Sequence, residues 1–231
     1  MLLEFLVGVQ VICGFLLGSC GLIILKKNIH DYLHQLLGGA IFLMGISCFI
    51  DVIPQLLHDA SLFLLTEYIV FFTISLASCS FFLAGFTTAR GEDYGKNPKY
   101  VVPSLLLGQI PNIFIFLTQS ASVESATILN ESILVFIAGE IGDILMAIVW
   151  LGLLIGGFFY FYRIYHHIEE SKAKTRSGYF LTGIGLMIVS NLLLSVLFFI
   201  LDPVTSGLIF SFGSFLSLVI TSILMTYAFV R

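Results

Sequence analysis

The sequence predicts a bundle of seven α-helices crossing a lipid bilayer, with the N-terminus outside and the C-terminus in the cytoplasm. Three observations lead there. Seven apolar runs, each close to or above the roughly 20 residues a spanning helix needs, alternate with short polar stretches. All ten Lys and Arg residues fall in every second polar stretch or at the C-terminus, which is the bias that marks a cytoplasmic side. Only 10% of the residues are charged and 58% are hydrophobic, against about 25% charged in an average soluble domain. Such a chain cannot cover a water-facing surface.

The elements follow in order. Span one covers residues 2–25 and ends at Lys26-Lys27-Asn28. It follows Met1 with no basic leader, and its cations come after it, so it reads as a retained span rather than a cleaved signal. Span two covers 34–57, with Pro54 near its end. Span three covers 61–88 and stops at Arg90-Gly91-Glu92. Span four covers 100–118 and carries Pro103 and Pro111, which neighbouring helices can accommodate by satisfying the freed carbonyls. Span five covers 133–161, long enough to require tilt or protrusion. Span six covers 178–201, stopped by Asp202-Pro203, and span seven covers 205–230. The longer connections are two cytoplasmic loops, 89–99 and 162–177, and one outer loop, 119–132. These runs exceed the ~10 residues of a barrel strand and lack its alternation. Nearly the whole chain is taken up by one transmembrane domain, 1–231, with no stretch left for a soluble catalytic or nucleic-acid-binding domain.

Leu43-Met44-Gly45-Ile46-Ser47-Cys48 resembles Leu186-Met187-Ile188-Val189-Ser190-Asn191. On that match spans one to three and five to seven form a 3+1+3 parallel repeat with span four as linker. Gly14-x3-Gly18 and Gly152-x3-Gly156 have the spacing that lets helix backbones approach closely, within the bundle or across a homodimer. Cys13, Cys20, Cys48 and Cys79 all lie inside apolar runs and read as packing thiols.

The candidate functional residues are those a bilayer penalises. Five acids, Asp31, Glu92, Asp93, Glu169 and Glu170, lie on the cytoplasmic side, and the remaining nine of the 14 lie outside or in the outer halves of spans. Asp51 stands in the outer half of span two, Glu67 in the outer part of span three, and Glu140 and Asp143 in the outer half of span five, three residues apart on one helix face. No cation shares that side. An ionised carboxylate near the midplane costs about 2.5–3.5 kcal/mol even on the lenient insertion scale, and intramembrane carboxylates point to function. Asp51, Glu67, Glu140 and Asp143, with Asn191 near the middle of span six, are therefore expected to form a wet, outward-facing pocket for a ligand or a proton. Protonated acids bonded between helices are the structural alternative. Gln109 and Asn112 in span four are expected to hydrogen-bond between helices. Asp202, His58 and Asp59 mark the outer boundary, and Asn130-Glu131-Ser132 has the form of a glycosylation sequon.

His30-Asp31-x2-His34 has a metal-like spacing, but no third ligand is evident beyond His166 and His167, so no metal is expected. The chain has no Gly-rich phosphate loop, no Gly-x-Ser-x-Gly elbow and no His-Glu-x2-His. It is expected to be neither an enzyme nor a cofactor carrier, and to bind no nucleic acid. Residues 205–230 hold no lysine for the retinal Schiff base of microbial rhodopsins. Thr88-Ala89-Arg90-Gly91-Glu92 and Ile223-Leu224-Met225-Thr226-Tyr227 stand where animal G-protein-coupled receptors carry acidic-Arg-Tyr and Asn-Pro-x2-Tyr.

Gly21 to Asn28, the polar turn after it, the apolar run to Asp51, the stretch Phe159-Tyr160-Phe161-Tyr162-Arg163 and Gly183 opening span six together resemble the seven-transmembrane N-terminal sensor region of prokaryotic histidine kinases. In that family a kinase or cyclase follows the last span, whereas this chain stops at Arg231. The resemblance implies a sensor or receptor-like protein of the cell membrane that signals through a separate cytoplasmic partner, met by loops 89–99 and 162–177. Pro54-Gln55-Leu56 is similar to the Pro-Gln pair of the PQ-loop family, with Gln109-Ile110-Pro111 in reversed order where a second pair would be sought. That resemblance implies the alternative, a small proton-coupled solute transporter.

Overall fold

The computed structural model describes residues 2–128, 131–197, 200–201 and 203–230. Its long helices are α1 (Leu2–Lys27), α2 (Tyr32–Leu57), α3 (Ala60–Arg90), α5 (Pro98–Thr118), α6 (Glu140–Tyr165), α7 (Ser171–Leu197) and α8 (Pro203–Val230), with one short helix, α4 (Glu92–Gly95). Six of them, α1, α2, α3, α5, α6 and α7, are long and apolar enough to cross a bilayer. In α8 the described apolar stretch is Leu216–Phe229.

Helix ends follow local chemistry. Asp31 caps α2 by accepting from the Leu33 N–H at 3.1 Å, and Asp59 caps α3 by accepting from Ser61 and Leu62 at 2.9 and 3.0 Å. Asn97 caps α5 ahead of Pro98, whose missing N–H costs nothing in the first turn.

Contacts fix the helix directions. Gly21 meets Phe42, Gly18 meets Gly45 and Gly14 meets Phe49, so α1 and α2 are antiparallel. A Cβ on Gly45 would stand 2.5 Å from the Gly18 nitrogen, and one on Gly21 would stand 2.6 Å from the Phe42 nitrogen. Ser47 bonds Thr73 at 2.6 Å, running α3 back against α2. Ser75 meets Asn112 and Cys79 donates to the Ser104 carbonyl, so α5 opposes α3. Gly85 against Gly157 and Phe71 against Trp150 place α6 parallel to α3. Phe161 on Phe180 turns α7 back along α6, and the Thr221 hydroxyl on the Gly183 carbonyl at 2.9 Å turns α8 back along α7.

Cys13, Leu17, Cys20, Ile24, Ile41, Phe81, Phe180, Ile184 and Met225 belong to one core. All four cysteines are buried thiols outside any disulfide. The outward faces are apolar as well: Phe15, Leu106, Phe116, Ile148 and Leu193 are each more than 60% exposed. A water-soluble surface does not carry so many large apolar groups in one belt, whereas lipid requires them.

Three sequence expectations are corrected. The stretch read as the start of span five is a strand. β1 (Ser122–Ile128) and β2 (Glu131–Ile137) form an antiparallel hairpin, with Ser122 opposite Ile137, and α6 begins only at Glu140. Ile133-Leu134-Val135-Phe136-Ile137 is β-branched and aromatic, suits a sheet, and is cut off by Gly139 at φ +79°. The fold is therefore helical apart from this hairpin, which replaces the expected loop 119–132. The loop 162–177 shrinks to 166–170, because Lys172, Lys174 and Arg176 are good helix formers and extend α7. The loop 89–99 is mostly ordered by the end of α3, α4 and the cap of α5.

Candidate functional site: a buried carboxyl pair

The α1–α2 seam continues beyond Gly14 and Phe49 to Gln10 and Asp51. Glycines at 14, 18, 21 and 45 bring the two backbones together, so a polar side chain one turn further along α1 must face α2. The Gln10 Nε2 donates to Asp51 Oδ2. From the other side α3 brings Glu67, whose carboxyl lies beside that of Asp51. Gln10 is 3% exposed and Glu67 8%. Gln10 Oε1 and Asp51 Oδ1 are buried and meet no hydrogen-bond donor among the described residues. Three helices thus converge on an amide and two carboxyls in an apolar bundle.

Pro54 is buried within α2, and its missing N–H leaves the Ile50 carbonyl, next to Asp51, without its helical donor.

The predicted site residues separate as follows. Asp51 and Glu67 come together. Asp143 is partly buried on α6. Glu140 opens α6, and its side chain lies outside the described residues. Asn191 donates to the Met187 carbonyl of its own helix at 2.8 Å. Asp202 and Asn130 lie outside the described residues.

Gln10 was not anticipated. A neutral amide in a span carries no charge to draw attention. Its signal is position: it lies three, four and seven residues before Cys13, Gly14 and Leu17, on the buried face of α1.

A second polar seam joins α3 to α5 through Asn112, while the described hydrogen bond of Gln109 stays within α5. Asn112 Nδ2 donates to Ser75 Oγ at 2.8 Å and to Gln109 Oε1 at 2.7 Å. Trp150 Nε1 and Gln109 Nε2 are buried there without acceptors among the described residues.

The end of the bundle away from the hairpin gathers the cations. A cavity of about 440 Å³ is lined by Lys27, Glu170, Lys172 and Arg176, and one of about 300 Å³ by Arg90, Arg163 and His167. Lys27 also donates to the Phe229 carbonyl. The His30-Asp31-x2-His34 motif serves a cap: His34 Nδ1 lies 2.5 Å from Asp31 Oδ2. Partial burial pushes the Asp31 carboxyl up, but the His34 and Leu33 hydrogen bonds outweigh it and hold the group below the usual carboxylate range. The Tyr32 hydroxyl beside it donates to the Gly95 carbonyl at 3.0 Å, and Lys96 lies over the Tyr32 ring at 5.4 Å. No protein-family model matches the chain, and no curated protein matches it in sequence.

Proposed function

We propose that this chain is a multi-pass membrane protein with seven spans, α8 being the seventh, and that it works as a sensor or receptor-like protein. The end that gathers the cations faces the cytoplasm, and the hairpin end faces outside. The buried acids receive the stimulus, and a separate cytoplasmic partner reads it at the linkers around 89–99 and 162–177.

One observation carries this reading. A single helix, α2, holds Asp51 against Glu67 and Gln10 near the hairpin end and holds the 91–97 linker through Tyr32 and Gly95 at the basic end. A change in the charge or occupancy of the carboxyl pair alters how α2 sits on α3, and that change reaches the linker through one continuous helix. The polar cluster at one end and the exposed, basic linker at the other give the input and output a sensor needs.

The alternative, a proton-coupled transporter, is favoured by the closeness of the Asp51 and Glu67 carboxyls, since paired intramembrane acids suit proton coupling. One experiment separates them. Single cysteines at Tyr94 and Lys172, in a background lacking the four native ones, are tested for labelling from each side of the membrane and for cross-linking to cytoplasmic proteins in cells. The sensor reading expects labelling from the cytoplasm only, and a cross-link whose yield changes in Asp51→Asn. In sealed vesicles it expects no solute-driven proton entry. Proton entry that Asp51→Asn abolishes establishes the transporter, and labelling of Lys172→Cys from outside overturns the orientation.

A further inference from the structure

We infer that Gln10, Asp51 and Glu67 form a binding site for one alkali-metal cation, Na⁺ before K⁺, at the junction of α1, α2 and α3. The inference deepens the reading of the carboxyl pair as the receiving element, and rests on it.

The first argument is the orphaned oxygens. Gln10 is 3% exposed, and its Oε1 is buried without a donor beside the acids its own Nε2 engages. Asp51 Oδ1 is buried without a donor as well. A buried acceptor left unmade costs about 1–3 kcal/mol, and the great majority of buried polar atoms in folded proteins find a partner. Two such oxygens in one cluster ask for something that accepts lone pairs. A cation does this, and no described Lys, Arg or His side chain bonds to the cluster.

The second argument is the ligand set. An amide oxygen and two carboxyl groups are all hard oxygen donors. Hard donors select alkali and alkaline-earth ions, and softer metals would want nitrogen or sulfur. The Cys48 and Cys13 thiols lie near the acids, but their sulfurs are buried packing atoms.

The third argument is charge. Two buried carboxyls to which no described Lys, Arg or His side chain bonds lack a countercharge, which a bound cation supplies. Calcium takes about 6–8 oxygens and magnesium keeps several waters. A junction closed by tight glycine packing along α1 and α2 favours a small ion that needs fewer ligands.

The test uses the purified full chain in detergent at fixed pH and ionic strength, with NaCl titrated against N-methyl-D-glucamine chloride. The readouts are the thermal midpoint and the emission of Trp150, the single tryptophan, which packs on Phe71 one turn from Glu67. Binding predicts a saturable rise in the midpoint and a matching change in emission with Na⁺, a weaker response to K⁺, and none to the organic cation. Asp51→Asn and Glu67→Gln, which keep size and shape, should lose at least tenfold in apparent Na⁺ affinity, and Gln10→Leu should weaken it. Glu169→Gln, exposed at the other end, should leave it unchanged. Retention of ²²Na⁺ by the wild-type chain near one ion per molecule checks the site without any variant. An unchanged midpoint and no retained ²²Na⁺ overturn the inference, as does a response to Ca²⁺ in place of Na⁺. An Asp51→Asn chain that still binds Na⁺ as tightly as wild type moves the site elsewhere and overturns it too. No partner is present, so ion binding and cytoplasmic signalling fail or succeed separately.

Discussion

Gly85 of α3 and Gly157 of α6 touch backbone to backbone. A Cβ built on Gly85 would stand 2.7 Å from the Gly157 carbonyl oxygen, a distance no real Cβ tolerates. Gly85→Ala must therefore push α6 away from α3 or strain both, and overpacking of this kind costs about 1–3 kcal/mol. Gly152→Ala, where nothing lies within 4 Å, should be neutral or slightly stabilising, since Ala is the better helix former. Thermal unfolding of the two variants in detergent, side by side, checks this. Equal midpoints would mean that the α3–α6 contact is looser than described.

Gln10 and Asp51 should show strong non-additivity. Gln10→Leu alone leaves the Asp51 oxygens buried without their amide donor, at a cost of about 1–3 kcal/mol. Adding Asp51→Leu removes the group that lost its partner, so the double variant should be less destabilised than the sum of the singles. A denaturation cycle over the four proteins measures the coupling, expected at about 0.5–3 kcal/mol. Simple additivity would show that the two side chains do not engage each other.

The Asp31 cap should make the start of α2 acid-sensitive. The Asp31 carboxyl is held below its ordinary value of 3.8. A group depressed by folding stabilises the native state fully above its unfolded pKa, and that contribution is lost as the pH falls through the folded one. The first turn of α2 should accordingly keep its amide protection at neutral pH and lose it well below pH 4. Asp31→Ala should weaken that turn by about 0.5–2 kcal/mol at neutral pH and flatten the acid response. Hydrogen exchange over residues 32–36 reads both.

The hairpin should behave as part of the core rather than as an outer loop. Leu134 is 8% exposed and Val135 5%, Phe136 lies edge-on to Phe71 at 4.8 Å, and Gln55 Nε2 donates to the Leu134 carbonyl at 3.1 Å. Leu134→Ala should cost about 2–5 kcal/mol, whereas Val123→Ala, on the less buried partner strand, should cost less. Thermal midpoints decide, and equal, small effects would put the hairpin outside the cooperative unit.

The helices were legible because lipid imposes a simple rule. Run length, the two-sided distribution of Lys26, Lys27, Arg90, Lys96, Lys99, Arg163, Lys172, Lys174 and Arg176, and stops such as Gly91 locate most helix ends to within a few residues. Residues 131–137 misled for a physical reason. A continuous apolar run of that length has no period to separate strand from helix, and its Ile and Val content becomes informative only once a partner strand at 122–128 is recognised. Asp51 and Glu67 stood out because charge in an apolar run is costly, but their pairing depends on which faces α2 and α3 present to each other. That is set by Ser47 and Thr73 and by the glycine seam, and no single-chain pattern announces it. Gln10 escaped because a neutral amide is unremarkable until its neighbours are known.

α3 is 31 residues long and has no interior proline, and runs about 46 Å at 1.5 Å per residue. α2 carries Pro54 three residues past Asp51. Pro54 removes a hydrogen bond from α2, so α2 yields to a bending load more easily than α3. On the proposed sensor reading, displacement at the junction should therefore be taken up by α2 against α3, and this difference in stiffness would give the motion its direction.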